Sequence, residues 1–249
     1  ICHCKSNQCL IPYTDCDNEY VCPKITQLTG CPNDGIDGYT TYQLSLIIKN
    51  DNILNLYALY GSDGDTHGVE QLYMPPAYQG DSIFNKNIGG MSNDYINLNP
   101  LAEYDSWLTI GLTNGDPDNL ISSIGIDFDN WDEYNELMTT NGAIFIMNPE
   151  QIIVPGNEYI IGQLTIPNNS RQRAIVNVQG KLKCDDCLRV QTWNEIDIEF
   201  YLDSYKSNII PNNCIIWNDG CNLCNVNNGI ISSCDKNNCL INNNPYCEQ

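Results

Sequence analysis

The sequence predicts an all-β protein, an antiparallel β-sandwich or jelly roll flanked by small disulfide-rich N- and C-terminal segments. Two observations carry that expectation. A long middle stretch repeats short runs of alternating polar and apolar residues between turn residues, as half-buried strands do. The 14 cysteines of the 249-residue chain gather at its ends. Cys2, Cys4, Cys9, Cys16, Cys22 and Cys31 lie in the first stretch, and Cys214, Cys221, Cys224, Cys234, Cys239 and Cys247 in the last, with Cys184 and Cys187 between. An even, clustered count reads as a disulfide framework made in an oxidising compartment. The polar ends bury too little surface to fold alone and need covalent staples. The organisation expected is therefore a Cys-rich arm over residues 1–32, a β-sandwich over 33–203 and a Cys-rich module over 204–249.

Within the middle, Tyr39 to Ile48 alternates cleanly, and Ile53 to Tyr60 repeats the pattern after the turn at Asn50-Asp51-Asn52. Further strands are expected at Asp105 to Leu112, Ile121 to Phe128, Gly142 to Met147, Glu158 to Ile166, Arg173 to Leu182 and Val190 to Tyr201. Turn signals separate them at Gly61-Ser62-Asp63-Gly64, Asn114-Gly115-Asp116-Pro117, Pro155-Gly156-Asn157 and Pro167-Asn168-Asn169. The one helical hint is Trp131 to Met138. The segment from Gly61 to Pro100 has little strand pattern and reads as a long surface loop of the kind that binds or packs.

The formal charge of −20 argues against nucleic acid or an anionic membrane as partner, since both require basic patches. It favours solubility, cation binding or a basic partner. No apolar run reaches the roughly 18 residues of a membrane span. The chain opens at Ile1 directly into cysteines, which reads as a processed, secreted chain with an extracellular or cell-surface location.

Two stretches resemble known families. Thr41-Tyr42-Gln43-Leu44, Asn55 to Gly61, Pro75-Pro76-Ala77-Tyr78, Tyr104 to Gly111, Ser122 to Phe128 and Asn141 to Phe145 carry the first likeness. Together they resemble a β module of secreted proteins of algae and other protists. That resemblance implies a cell-surface or extracellular-fibre setting rather than an activity. In the tail, Trp217-Asn218-Asp219-Gly220-Cys221-Asn222-Leu223-Cys224, Gly229, Cys234-Asp235 and Cys239 resemble pacifastin and von Willebrand type C modules. Those families carry a Cys-x-Cys where this chain has Val226 two residues beyond Cys224, so one bridge of their pattern is missing or rerouted here. Pacifastins inhibit serine proteases; the departure at Val226 favours a stapled interaction module.

Chemistry concentrates in a few places. Trp193-Asn194-Glu195-Ile196-Asp197-Ile198-Glu199-Phe200 resembles the Glu-x-Asp-x-Glu strand of jelly-roll β-glucan hydrolases, glycoside hydrolase family sixteen. The likeness implies Glu195 as nucleophile, Asp197 as the residue that tunes it and Glu199 as general acid/base. A regular strand puts these three on one face, and a retaining mechanism brings the two outer carboxyls to about 5–5.5 Å. The competing reading is an acidic outer face on a half-buried strand, favoured by the position of the motif at the end of the β stretch. Asp63 and Asp65, Asp116 and Asp118, and Asp127 and Asp129 sit in turns and offer hard oxygen ligands suited to calcium. Turn geometry alone also selects Asp at such positions. Cys184-Asp185-Asp186-Cys187 and Cys221-Asn222-Leu223-Cys224 have zinc-knuckle spacing, and the surplus of other cysteines favours disulfides. Histidine is limited to His3 and His67, and no nucleophile elbow or zinc-protease helix is present. Asn168-Asn169-Ser170 is a glycosylation sequon in an expected turn.

The reading these features favour is a non-enzymatic structural subunit of an extracellular filament or surface appendage. It assembles with itself head-to-tail through its terminal arms and carries attached glycan; no cofactor is expected beyond calcium in the acidic turns. The alternatives are a glycan-binding or β-glucan-hydrolysing jelly roll acting through Glu195, Asp197 and Glu199, and a protease-inhibitor-like secreted module.

Overall fold

The computed structural model describes residues 16–28, 35–64, 68–81, 83, 86–151, 157–168, 170–183, 191–203, 214–218, 223–227, 230–234 and 246–248. The chain divides into two compact units, Ile1–Asp203 and Ser204–Gln249.

The first unit is an antiparallel sandwich. Strands β1 (Val21–Gln27), β2 (Tyr39–Ile48) and β3 (Ile53–Gly61) open it, followed by β4 (Leu72–Met74), helix α1 (Asn93–Leu98) and a 3-10 turn (Pro100–Tyr104). Then come β5 (Trp107–Leu108), β6 (Ile121–Ile124), β7 (Leu137–Thr139), β8 (Gly142–Ile146), β9 (Glu158–Pro167), β10 (Arg171–Leu182) and β11 (Thr192–Asp203). One sheet has the order β1-β2-β9-β5; the other runs β6-β8-β3-β10-β4-β7, with β11 on the far side of β10. The chain passes between sheets at two short turns, from β2 to β3 and from β9 to β10. At the first of these, Asn52 N donates to Asn50 Oδ1 (2.8 Å) and Ile53 N to Asn50 O (3.1 Å), which is why the Asn-Asp-Asn sequence turns there.

Period-two alternation supplies one continuous core. Leu44, Leu46, Ile161, Leu164 and Ile166 from the first sheet meet Leu56, Leu59, Ile144, Val176, Val178 and Phe200 from the second. Each such side chain contributes about 1.5–3 kcal/mol by leaving water. Two tryptophans bury their rings in the same core and satisfy their N–H groups on backbone carbonyls. Trp131 Nε1 donates to Pro75 O (3.0 Å) and Trp193 Nε1 to Asn55 O (3.2 Å).

Several expected boundaries move. Residues 131–138 are not helical: Asp132 Oδ1 accepts from Tyr134 N (2.7 Å) and Asn135 N (2.8 Å) in a side-chain-closed turn, and the chain then extends to pair Leu137–Thr139 with β4 rather than winding on. The helix lies instead inside the expected loop, where Ser92 caps α1 by accepting from Tyr95 N (3.4 Å). The same loop holds β4. The strand expected from Ile121 to Phe128 ends at Ile124, because Gly125 turns the chain at φ 66°. β1 falls within the stretch read as an arm and pairs along its length with β2, while the disulfide Cys16–Cys22 closes the loop that leads into it.

The second unit has its own four-stranded sheet, ordered β14-β13-β12-β15. Its strands are β12 (Ile216–Asn218), β13 (Leu223–Asn227), β14 (Ile230–Cys234) and β15 (Tyr246–Cys247). Cys214, Trp217, Cys224 and Val226 form a small core, and the disulfide Cys214–Cys247 ties one end of the unit to the other. A core this small is why the covalent tie matters. Among the described residues no cysteine is free. Cys16, Cys22, Cys214, Cys224 and Cys247 are disulfide-bonded; Cys2, Cys4, Cys9, Cys31, Cys184, Cys187, Cys221 and Cys239 lie outside the described residues. Nor, among those described, is any helix long and apolar enough to cross a membrane.

Candidate functional site

The acidic motif on β11 does not form the one-faced triad expected of a regular strand. Val178 stands opposite Glu195 and Val176 opposite Ile198, so β11 carries one more residue than β10 between these pairs. That β-bulge inverts the alternation. Glu195 lies on the core side with Ile198 and Phe200, whereas Glu199, opposite Ile175, lies on the outer side. Asp197 sits in the bulge at φ 53°, a conformation its short polar side chain tolerates, and its N–H donates to Asn177 Oδ1 (2.8 Å). The expectation that Glu195, Asp197 and Glu199 share a face is therefore corrected. A retaining glycosidase pair needs both carboxyls facing one substrate, and Glu195 and Glu199 point to opposite sides of the sheet.

Glu195 has a different partner. Its carboxylate accepts from Glu19 N (3.1 Å) and Tyr20 N (2.9 Å), and the Tyr20 ring stacks on Trp193 at 5.3 Å. The side chain thereby latches the entry to β1 onto β11 and closes one side of the sandwich.

The outer face of the larger sheet collects the remaining polar aromatics. Met138, Tyr73, Ile175 and Glu199 form one cross-strand row over β7, β4, β10 and β11. Tyr60 lies on the same face opposite Asn177, and Tyr201 opposite Arg173. Glu199 accepts from the Tyr201 hydroxyl and pairs with Arg173 at 3.2 Å. Burial, then the neighbouring Glu70, hold the Tyr60 phenol above its ordinary range; burial, then Glu136, do the same for Tyr73. None of this was legible in the sequence, because Tyr73 belongs to a three-residue strand inside an expected loop, and a face can be assigned only once register is known.

The acidic turns come together in part. Asp116, Asp127 and Asp129 line one cavity of about 470 Å³ with Lys86, Asn119 and Phe128. Asp118 is exposed outside that lining, Asp63 is exposed near Gly64, and Asp65 lies outside the described residues. Both Asp116 oxygens already accept backbone N–H groups, from Leu120 and Ile121 at 2.9 Å each, so this carboxylate shapes its own turn. Among the described residues no group of three or more His, Cys, Asp and Glu side chains is placed to hold a metal ion.

Among the described residues Asp105, which the sequence does not single out, is the most deeply placed acid. It is 0 % exposed, and its two oxygens accept from Gly80 N (2.8 Å) and Lys86 N (2.7 Å). Burial pushes its carboxyl up to about 6, against the pull of those hydrogen bonds. One carboxylate thereby ties Gly80 to Lys86. Asn168 begins the turn between β9 and β10; its Oδ1 accepts from Thr40 Oγ1 (2.5 Å) and its N–H donates to Gly38 O (2.7 Å).

The fold and these contacts define the class: an antiparallel β-sandwich with disulfides in its terminal regions and a second, small β unit. Comparison with protein families, with characterised proteins and with solved structures finds no match.

Proposed function

We propose that the chain is a structural subunit of an extracellular filament or surface appendage, joined to its neighbours by strand addition at β11. The supporting observation is a difference between two of the edge strands, β1 and β11. Leu28 N donates to Thr41 O (2.8 Å) and Lys49 N to Tyr20 O (2.9 Å), so even-numbered residues of β1 bond to β2. Pro23 therefore stands at an outward position, where its missing N–H costs no ladder bond and blunts the edge. On the other side, Leu182 N donates to Gln191 O (2.9 Å), which turns the even-numbered residues of β10 toward β11. Their partners Ile198, Phe200 and Leu202 bond inward, leaving the N–H groups of Glu199, Tyr201 and Asp203 facing out. Among the described residues no strand pairs with that edge. β11 thus offers the open edge; a segment of the next subunit other than its own β11 adding there makes a contact that does not close on itself and propagates as a fibre. The disulfides fit an oxidising compartment.

Negative-stain microscopy of the native, unreduced protein tests this reading. Wild type is expected to form fibres, and Tyr201→Pro to remain folded by circular dichroism but to form none, since its backbone loses only an outward donor; Tyr201→Ala, which loses the same hydroxyl contact to Glu199 but keeps that donor, is expected to form fibres. Monomeric wild type at high concentration would remove the filament reading. Fibres unchanged in Tyr201→Pro would remove β11 as the joining edge. Asn168 is expected to carry a glycan in native material. Mass spectrometry of its tryptic peptide checks this, and an unshifted peptide rules the modification out.

A further inference from the structure

The outer face of the larger sheet carries polar-tipped aromatics and more carboxylate than cation. Tyr201 is 65 % exposed and Met138 58 %, and both share this face with Tyr73 and Tyr60. Arg173, the cation beside Tyr73, is already held by Glu199 at 3.2 Å. Glu136 lies next to Tyr73, and Glu70 and Asp197 lie next to Tyr60. Arg171 lies on the same face opposite Asp203, so Glu136, Asp197, Glu199 and Asp203 outnumber Arg171 and Arg173, and Arg173 is held by Glu199.

We propose that this face docks a basic polypeptide segment, whose lysine or arginine side chains lie over Tyr73 and Tyr201 and end against Glu136 and Asp197. Charge complementarity selects that occupant. A second copy of a chain of net charge −20 would bring more carboxylate to the same place, and an anionic polymer would be repelled. A neutral glycan could use the rings but would leave the surplus carboxylates unanswered. A cation over a tyrosine face gains from the ring quadrupole, and its charged end gains from an adjacent carboxylate. The face is separate from the β11 edge invoked above: the edge offers backbone groups, whereas this face offers side chains.

The test is fluorescence anisotropy of a labelled alternating lysine–serine dodecapeptide titrated with the native full chain at fixed ionic strength. Tyr73→Ala and Tyr201→Ala, which keep the net charge, are each expected to weaken binding about two- to fivefold, the range of an exposed cation–ring contact. Tyr73→Phe, which keeps the ring, is expected to bind as wild type. Glu136→Gln is expected to weaken binding more than Asp94→Asn, which removes the same charge from the exposed start of α1. Equal effects of those two charge variants, with tyrosine variants binding as wild type, would mean general attraction to a polyanion and would overturn the proposal. So would binding of a neutral oligosaccharide that Tyr73→Ala and Tyr201→Ala abolish, with no peptide binding, which would assign the face to glycan. Because Tyr201→Ala retains its outward N–H, it separates loss of this site from loss of assembly.

Discussion

Gly180→Ala is expected to lower the melting temperature of the sandwich by about 10 °C or more, a loss of roughly 3 kcal/mol or greater in a unit of this size. Gly180 stands on β10 between Leu56 of β3 and Trp193 of β11. A methyl group there would overlap Asn55 O and the indole of Trp193. Those two groups are bonded to each other at 3.2 Å. The backbone oxygen cannot withdraw without breaking the sheet, so the indole must move, and it carries the stack on Tyr20 with it. Gln179→Ala, one residue away on the outer side, is expected to cost under about 1 kcal/mol, because nothing in the core is displaced. Thermal melts of the two variants decide the matter: a Gly180→Ala protein that melts with wild type would show that this close approach does not constrain the fold.

Asp105→Asn is expected to destabilise the protein by about 2–3 kcal/mol at neutral pH and also to flatten its pH dependence. The amide keeps one acceptor oxygen but turns an NH₂ donor toward the N–H of Gly80 or Lys86, where the carboxylate accepts from both. Among the described residues the neighbouring polar side chains add no support, since the amide of Gln79 and the Asn87 Oδ1 are buried without a hydrogen-bond partner. The pH dependence follows from the raised carboxyl. Folded Asp105 titrates at about 6 rather than 3.8, chiefly through burial, so the folded state holds the proton more tightly than the unfolded chain. Its contribution is greatest below the unfolded value and is lost as pH rises through about 6. That difference amounts to about 2 kcal/mol between pH 4 and pH 7 for this one group. Relief of repulsion among the other carboxylates acts in the same direction. Wild type should therefore melt higher at pH 5 than at pH 7, and Asp105→Asn should lose part of that gain. Parallel pH profiles for the two proteins would refute the assignment.

Both predictions depend on features that differ in how far the sequence reveals them. β2, β3, β9 and β10 were readable because their alternation is long enough to outweigh local accidents. The clean turn at Asn50-Asp51-Asn52 was readable because its side chain makes the turn bond itself. Trp131 to Met138 misled because apolar spacing there imitates a helix, while pairing of Leu137 and Met138 with β4, a partner distant in sequence, extends the chain. Asp105 gave no signal at all: an Asp before a strand looks like any turn residue until the fold brings the N–H groups of Gly80 and Lys86 to its oxygens. The motif at Glu195 to Glu199 was legible as a cluster of acids and misleading as a site. One extra residue in β11 inverts every side chain beyond it, and a bulge is a property of two strands rather than one.

The all-β class, the sandwich core and the presence of disulfides in the terminal regions were legible in residue order alone, because alternation and cysteine spacing are written along the chain and burial enforces the first wherever the strands end up. Long-range packing, by contrast, is what sets Glu195 against the entry to β1, brings Gly80 and Lys86 to Asp105, and puts Tyr60, Tyr73, Tyr201 and Glu199 on one face. Those relations join residues far apart in sequence, and they depend on register, which a single bulge at Asp197 is enough to reverse.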